Sequence, residues 1–263
     1  MTPILVLGAG HMGGALIEGW LAAGAFEASQ LIISDPLAGE TAKVAAAQGA
    51  RLNPPTAALA EAPLVVLAMR PQDWRAAAAE VAPLLGPDAV VVSVAAGVRT
   101  EDLAQAFAPR AVARVMPTTG VAVAKGAVSI FAHDDRARSA AHLLFDPVAT
   151  TVDLADEALM DAAVAVSGSA PAYLYAFMEA LAAAGVAEGL TPEASKALVR
   201  ATMVGAAALL DRSGEDPADL RRKVASPGGT TEAALKVLMA EDGLGPLLAE
   251  TVAAAARRSK ELG

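Results

Sequence analysis

The feature that most constrains the fold of this chain is a glycine-rich turn around residue 10. A short apolar run, Ile4 to Leu7, precedes Gly8, Gly10 and Gly13, and a helical pattern follows them. This order of strand, glycine turn and helix is the context that the G-x-G-x-x-G fingerprint of dinucleotide binding requires. In that interpretation Gly8 permits the tight turn, Gly10 lets the backbone approach a pyrophosphate, and Gly13 allows the helix to pack closely on the strand. The turn therefore predicts an α/β fold for this part of the chain.

An acidic residue at the end of the next predicted strand strengthens this interpretation. The apolar run from Leu31 to Ser34 leads to Asp35, about twenty residues beyond the glycines. Asp35 is expected to accept hydrogen bonds from the adenosine ribose, and its charge would repel the 2′-phosphate of NADPH and favour NADH. Ser34 or Lys43 could instead accommodate that phosphate, so NADPH and NADH both stay open. The simpler alternative is a structural glycine turn with Asp35 capping the next helix.

Two further buried-strand patterns, at 64–68 and 89–94, end in loops of small residues or proline. The carboxyl ends of parallel strands form the ligand crevice of an open sheet, so both loops are expected to contact the cofactor. Other strand-like runs lie at 112–115, 127–131 and 148–152. The predicted cofactor-binding residues are Gly8, Gly10, His11, Met12, Gly13, Ser34, Asp35, Ala68, Met69, Arg70, Pro71, Ala95, Ala96 and Gly97.

The strand patterns stop after about residue 153. Helical patterns then cover 157–166, 171–187, 192–210, 217–224, 231–239 and 245–262, several of them opened by a proline. We therefore predict an α/β domain over residues 1–153 and an all-α domain over residues 154–263. The two longest apolar helices, 171–187 and 192–210, are rich in small residues, and one chain offers too few neighbours to enclose them. They predict a homodimer through the second domain, the alternative being an ordinary intrachain core.

Composition excludes several classes of function. The hydrophobic fraction is 55%, but much of it is alanine, and we predict no membrane-spanning segment. The closest candidate, 162–178, is bounded by acidic residues and interrupted by Ser167, Gly168, Ser169 and Pro171, so we expect a core helix. The net charge of −9 argues against a nucleic-acid or anionic-membrane partner.

Residue types narrow the chemistry further. Without cysteine, disulfides and thiolate chemistry are excluded, and the three histidines are too scattered to suggest a metal site. Because the sequence enters a strand-like run at once, with no cleavable apolar segment before it, we expect a cytoplasmic protein.

A second turn, Ser226-Pro227-Gly228-Gly229-Thr230-Thr231, interrupts the helical half. Its glycines and the restart of a helix at Glu232 predict free backbone N–H groups that could receive a small anion. The simpler alternative is a capped helix start with Thr230 or Thr231 as the capping residue.

Six motifs follow one another along nearly the whole chain: Gly8-x-Gly10-x-Met12-Gly13, Ala68-Met69-Arg70-Pro71-Gln72, Ala95-Ala96-Gly97, Arg114-Val115-Met116-Pro117, Ser167-Gly168-Ser169-Ala170-Pro171-Ala172-Tyr173 and the turn Ser226 to Thr231. In this order they resemble the pyrroline-5-carboxylate reductase family, and the last two together are the most specific. The resemblance implies hydride transfer from NAD(P)H to the C=N bond of 1-pyrroline-5-carboxylate, giving L-proline in the last step of proline biosynthesis. It also implies a Rossmann domain followed by a helical dimerisation domain, with the dimers assembled into a ring in many members.

The resemblance also assigns the substrate site. Thr231 is the implied catalytic residue, through a hydroxyl near the ring nitrogen, and the imino acid substrate is bound by Ser226, Gly228, Gly229, Thr230, Thr231, Pro117 and Thr118. The family pattern Met-Pro-Asn-Thr-Pro reads Met116-Pro117-Thr118-Thr119-Gly120 in this chain. Thr118 keeps a hydroxyl but lacks the amide, and we expect Gly120 to be looser than proline.

Three other functions stay open. A related cyclic imine acid could be the substrate. A β-hydroxyacid dehydrogenase shares the two-domain layout, but it uses a lysine on the long helix, and 171–187 contains none. A regulatory protein could bind the dinucleotide without turnover.

Overall fold

The computed structural model describes the backbone of residues 1–262 and the side chains of residues 1–261. By its internal contacts the chain divides into two compact units. The first contains residues 1–168 and residues 256–262, and the second contains residues 169–255.

The first unit is built on an eight-stranded sheet. Its strands are β1 (Ile4–Leu7), β2 (Leu31–Ser34), β3 (Arg51–Leu52), β4 (Leu64–Leu67), β5 (Val90–Ser93), β6 (Ala111–Pro117), β7 (Gly126–Ala132) and β8 (Ala149–Asp153). Their order is β3-β2-β1-β4-β5-β6-β7-β8, and every pair is parallel except β6 with β7. The strand order reverses between β1 and β4, so the loops after these strands lie at the switch point where open sheets bind ligands.

Helices cover both faces of this sheet. On one face lie α1 (His11–Ala22), α2 (Glu40–Ala47) and α5 (Asp135–Phe145), and on the other lie α3 (Trp74–Val81) and α4 (Thr100–Phe107). The central strands are buried on both faces, which explains why their sequences read as continuous apolar runs and not as alternating ones. The predicted α/β fold is confirmed, with one short strand, β3, that the sequence analysis missed.

A buried tryptophan fixes α1 against α5. Trp20 is fully buried, its indole Nε1 donates to the carbonyl oxygen of Leu144 at 2.7 Å, and its ring meets Phe26 edge-on at 5.6 Å. Because an unpaired indole N–H would be costly in this core, the bond orients the helix that follows the first glycine turn.

The sheet ends where the sequence predicted a change of structural class, at Asp153, but the first unit continues to Gly168. The added segment contains the helix α6 (Met160–Ala163) and a π-helical turn, Val164–Gly168. Met160 is fully buried against Met116 and Phe131 of the sheet, which explains why this segment joins the first unit. The domain boundary at 153/154 stays a prediction.

The segment 157–187 differs from the sequence expectation. The π-helical turn joins α6 to α7 (Ala170–Ala187), so this stretch is long and apolar enough to cross a membrane by length and composition alone, with a mean hydropathy of 1.3. Length and composition alone therefore do not exclude a span at this segment, and the absence of a membrane-spanning segment stays a prediction. The most apolar part of this segment is also not buried in the single chain, although a core helix was predicted there.

The second unit is helical. It contains α7, α8 (Pro192–Ser213), α9 (Pro217–Lys223), α10 (Thr230–Leu238) and most of α11 (Leu244–Leu262). The helices α7 and α8 form a hairpin in which Ser195 Oγ donates to the carbonyl oxygen of Ala182 at 2.8 Å. A Cβ on Gly185 would lie 2.4 Å from that same hydroxyl, so the glycine lets the two helices meet.

Candidate functional site

The first glycine turn lies between β1 and α1, and its backbone is tightly packed. Gly8 has a φ of +91°, and a Cβ there would lie 2.9 Å from the backbone nitrogen of Met69. A Cβ on Gly13 would lie 2.1 Å from the carbonyl oxygen of Gly8. Backbone atoms cannot move aside as a flexible side chain can, so both positions require glycine.

Gly10 differs from the other two glycines. It is the N-cap of α1, it is exposed, and a Cβ there would meet nothing within 4 Å. No side chain caps this helix end, and the exposed His11 and half-buried Met12 follow as its first two residues. The first amides of the helix thus lack a side-chain cap and the space beside Gly10 is open, an arrangement that suits a pyrophosphate group.

Asp35 fastens the glycine turn to the end of β2. Its Oδ2 accepts from the backbone nitrogen of Ala9 at 2.6 Å, and its Oδ1 accepts from that of Leu37 at 2.7 Å. Ser34 and Asp35 are both half-buried. The carboxylate thus holds the turn while its charge stays at the position predicted for the ribose.

Asn53 supports Asp35, and the sequence analysis missed it. The side-chain oxygen of Asn53 accepts from the backbone nitrogen of Asp35 at 2.8 Å, and its side-chain nitrogen donates to the Asp35 carbonyl at 2.9 Å. Asn53 itself has a φ of +45°. An asparagine before two prolines is a turn signal that could have drawn attention to this position.

The loops after β4 and β5 reach the same edge of the sheet as the glycine turn. In the first, Ala68 is buried and Met69 is half-buried, whereas Pro71 and Arg70 are exposed. Arg70 pairs with Asp73 at 2.9 Å, and its side chain stays 79% exposed, so it is free to turn toward a ligand. In the second loop, Ala95 is buried, Ala96 is exposed and Gly97 has a φ of +76°.

Thr118, after the end of β6 at Pro117, is occupied by the fold. Its Oγ1 accepts from the backbone nitrogen of Ala127 at 2.9 Å, and its own nitrogen donates to the Ala127 carbonyl at 3.0 Å. Both Pro117 and Thr118 are buried. The hydroxyl retains its proton and one lone pair for a further partner, and the assignment of both residues to the substrate stays a prediction.

Gly120 is more constrained than its sequence suggested. A Cβ there would lie 2.7 Å from the carbonyl oxygen of Lys125, and the backbone nitrogen of Lys125 donates to the Gly120 carbonyl at 3.0 Å. The turn at Gly120 is thus closely packed, and its looseness relative to proline stays a prediction.

The second turn opens α10 in the helical unit. The N-cap of this helix is Gly229, and no side chain caps the helix end. The simpler alternative, in which Thr230 or Thr231 is the capping residue, is therefore wrong. Gly228 has a φ of +69°, and the nitrogen of Gly229 donates to the Ser226 carbonyl at 3.0 Å. Among the described residues, the amides of Thr230 and Thr231 have no hydrogen-bond partner.

A carboxylate already contacts this turn. Glu232 Oε2 accepts from the nitrogen of Gly228 at 2.6 Å, and its Oε1 lies 3.5 Å from the ammonium group of Lys236. Ser226, Gly228 and Thr230 are exposed, and Thr231 is half-buried. The turn is thus an accessible set of amides that a carboxylate can engage.

Comparison with known proteins adds to this geometry. Residues 157–262 match the family described as pyrroline-5-carboxylate reductase dimerisation, and residues 3–97 match that described as NADP oxidoreductase coenzyme F420-dependent. The chain is 40% identical over 267 residues to the pyrroline-5-carboxylate reductase of Pseudomonas aeruginosa, covering 99% of this chain and 97% of that protein. For the enzyme of the same name from Synechocystis, the identity is 33% over 264 residues, covering 98% and 97%.

Solved structures agree over the full length. The pyrroline-5-carboxylate reductase of Coxiella burnetii superposes with a TM-score of 0.91 at 29% identity, covering 100% of this chain and 98% of that one. The Plasmodium falciparum pyrroline carboxylate reductase with NADP bound gives a TM-score of 0.83 at 25% identity, with the same coverage. With its α/β unit, its helical unit and its sequence similarity from end to end, the chain belongs to the pyrroline-5-carboxylate reductase family.

Proposed function

We propose that this protein reduces 1-pyrroline-5-carboxylate to L-proline with NAD(P)H, the last step of proline biosynthesis. Its relatives of that name support the proposal over the full length of the chain. Within the structure, the observation that carries it is the turn Ser226 to Thr231, which offers unpaired amides to a carboxylate. The substrate is a small amino-acid-like anion of the kind that such a turn binds.

The first unit fits a dinucleotide. The turn excludes any side chain at Gly8 and Gly13, and the space in front of Gly10 is open. A pyrophosphate therefore has room to bind against the backbone amides. We assign the ribose to Ser34 and Asp35, and the remaining cofactor surface to the loops at 68–71 and 95–97. When bound, a reduced nicotinamide supplies the hydride for the reduction.

The residues of this chain bind and orient the substrate in this proposal. The amides of Thr230 and Thr231, with that of Gly228, hold the carboxylate, and Glu232 releases the Gly228 amide when the substrate arrives. The hydroxyl of Thr231 hydrogen-bonds the ring nitrogen, which takes its proton in water as the iminium ion. No strong protein acid is then needed, and among the described residues no group of three or more His, Asp or Glu side chains could hold a metal.

For the cofactor, we propose a preference for NADH. The Asp35 carboxylate is held in place by two backbone amides, at Ala9 and Leu37, so it cannot easily swing away from a 2′-phosphate. Lys43 is exposed on α2 and is the group nearest in sequence that could offset this repulsion. A catalytic efficiency much higher with NADPH than with NADH would contradict this preference.

We also propose a cytoplasmic homodimer formed through the helical region. The helix α7 has no buried residue in the single chain, and its exposed apolar side chains include Leu174, Tyr175 and Phe177. A groove of about 490 Å³ between α7 and α8 is lined by Met178, Ala182, Val186 and Val199, among others. A second copy would cover this surface, and a ring of dimers is the larger assembly that family resemblance implies.

One assay tests the activity. Oxidation of NADH and of NADPH is followed with 1-pyrroline-5-carboxylate and, separately, with a six-membered cyclic imine acid. We expect turnover with the five-membered substrate and formation of proline. Turnover with the six-membered acid alone would assign a related imine as the substrate, and binding of NADH without oxidation would indicate a regulatory protein.

A further inference from the structure

Among the described residues, a buried arginine in β6, Arg114, pairs with one carboxylate, that of Glu157. The side chain of Arg114 is only 6% exposed, and its Nη1 donates to Glu157 Oε1 at 3.0 Å. Its Nε is buried and has no hydrogen-bond partner among the described residues. A buried guanidinium is costly without a counterion, so the fold needs the charge of Glu157 at this place.

The same carboxylate caps α4 from far away in the sequence. Thr100 is the first residue of α4, and its backbone nitrogen donates to Glu157 Oε1 at 2.9 Å while its hydroxyl donates to Oε2 at 2.6 Å. The N-cap of this helix, Arg99, makes no side-chain capping bond. Glu157 therefore takes the place of a local cap and meets the positive end of the helix dipole.

The protonation of Glu157 agrees with this role. Burial raises the pKa of the carboxyl group, but the hydrogen bonds from Thr100 and Arg114 outweigh burial and leave the pKa below its usual value. The carboxylate is thus charged throughout the neutral range.

Thr100, which Glu157 holds, follows one of the loops assigned to the cofactor. The loop after β5 is fixed at its start, where the nitrogen of Val94 donates to the Leu67 carbonyl at 3.0 Å. It then turns through Gly97, and the nitrogen of Val98 donates to the Ala95 carbonyl at 3.4 Å. Thr100 is the next anchored point, so Glu157 holds the far end of this loop.

We propose that Glu157 is a positioning residue for the dinucleotide, which acts through Thr100 to fix the loop Ala95 to Gly97. Glu157 is also the first residue of the segment that matches the dimerisation family, so the contact joins the start of that segment to the cofactor loop. This inference rests on the proposed binding of NAD(P)H by the first unit.

The test compares three variants of the full chain. Glu157→Gln keeps the shape of the side chain but puts an amide NH2 among donors, and Glu157→Asp keeps the charge on a shorter stem. The matched control is Asp102→Asn, which removes another carboxylate from the first turn of α4. Asp102 pairs with Arg75 at 3.0 Å on the surface and does not hold the loop.

Two measurements are made on each variant. Hydrogen exchange of the amides at 94–100 is measured without any dinucleotide, and the Kd for NADH is measured by titration. In Glu157→Gln we expect faster exchange confined to this loop and a Kd raised about fivefold or more, with an unchanged KM for the imino acid. Glu157→Asp should recover part of the affinity, and Asp102→Asn should behave as the native protein.

The outcomes are distinguishable. Native exchange rates in Glu157→Gln would overturn the anchoring role. Faster exchange of these amides in Glu157→Gln together with a native Kd for NADH would overturn the effect on dinucleotide binding. A lower Tm with a native Kd for NADH would overturn it as well. If the native protein itself does not bind NADH or NADPH, the proposed function is wrong, whereas the exchange data still decide whether Glu157 anchors the loop. If Glu157→Gln does not fold, Glu157→Asp decides by the same two measurements.

Discussion

The first glycine turn supports a prediction that separates binding from stability. At Gly13, a Cβ would lie 2.1 Å from the Gly8 carbonyl oxygen and 3.0 Å from the Gly8 carbonyl carbon, so Gly13→Ala forces α1 away from the turn. At Gly10, a Cβ meets nothing within 4 Å, so Gly10→Ala leaves the free protein undisturbed. The same methyl group, three residues apart, should therefore have different consequences.

The magnitudes follow from these contacts. Overpacking of this kind costs about 1 to 3 kcal/mol. For a chain of this size that corresponds to a fall in Tm of about 3 to 10 °C for Gly13→Ala. Gly10→Ala should change Tm by less than about 2 °C, yet it places a methyl group where the pyrophosphate approaches the backbone. Loss of that approach should raise the Kd for NADH about tenfold or more, which is about 1.4 kcal/mol.

The assay combines thermal unfolding of the free protein with titration of NADH for the native chain and both variants. Gly13→Ala should lower the Tm and weaken binding, whereas Gly10→Ala should only weaken binding. Native affinity in Gly10→Ala would refute the placement of the pyrophosphate. A native Tm in Gly13→Ala would refute the packing argument, whatever the protein binds.

Three further predictions concern separate parts of the molecule. Thr231→Ala should lower kcat about tenfold or more while far-ultraviolet circular dichroism stays native, and unchanged steady-state kinetics would remove Thr231 from the reaction. Trp20→Phe removes the hydrogen bond to the Leu144 carbonyl and should lower the free energy of unfolding, measured by urea titration, by about 1 to 3 kcal/mol. An unchanged free energy of unfolding would show that this bond does not stabilise the fold. The hydrogen bond that His142 donates to the Asp146 carboxylate raises the pKa of the imidazole, and a second bond to Asp153 adds to this effect. The cluster therefore stabilises the fold below about pH 6.5 and loses this effect as the pH rises through the raised pKa. Relative to His142→Gln, the native Tm should therefore be higher by about 1 to 3 °C at pH 6 and this advantage should shrink toward pH 9; an advantage independent of pH would contradict the assignment.

Local patterns predicted most of the fold. The apolar runs at 4–7, 31–34 and 64–68 became β1, β2 and β4 to within a residue, and the prolines at 192 and 217 open α8 and α9. Such signals are contained within a few neighbouring residues. The short edge strand β3 escaped because two half-buried residues give no periodic pattern.

Longer-range contacts decided the details of the candidate site. Sequence placed Asp35 at the end of a strand, but not its bonds to Ala9 and Leu37 or its support by Asn53, which lies 18 residues away. The family resemblance assigned Thr118 to the substrate, and only the structure shows that its hydroxyl accepts a hydrogen bond from the backbone of β7. Such partners are set by how strands come together, and no pattern within a short window encodes them.

The sequence by itself determined the glycine turn, the alternation of strands and helices, the all-α second half and the amide-rich turn at Ser226 to Thr231, because backbone conformation and periodicity are local properties. Only the tertiary structure decided that Glu157 caps a helix 57 residues before it and pairs with a buried arginine of β6. It also decided that Gly13 packs on a carbonyl oxygen while Gly10 faces open space. The contacts of Glu157 and the surroundings of the two glycines depend on which backbone groups lie close together after the sheet has formed. They are therefore properties of the folded chain and not of a short stretch of sequence.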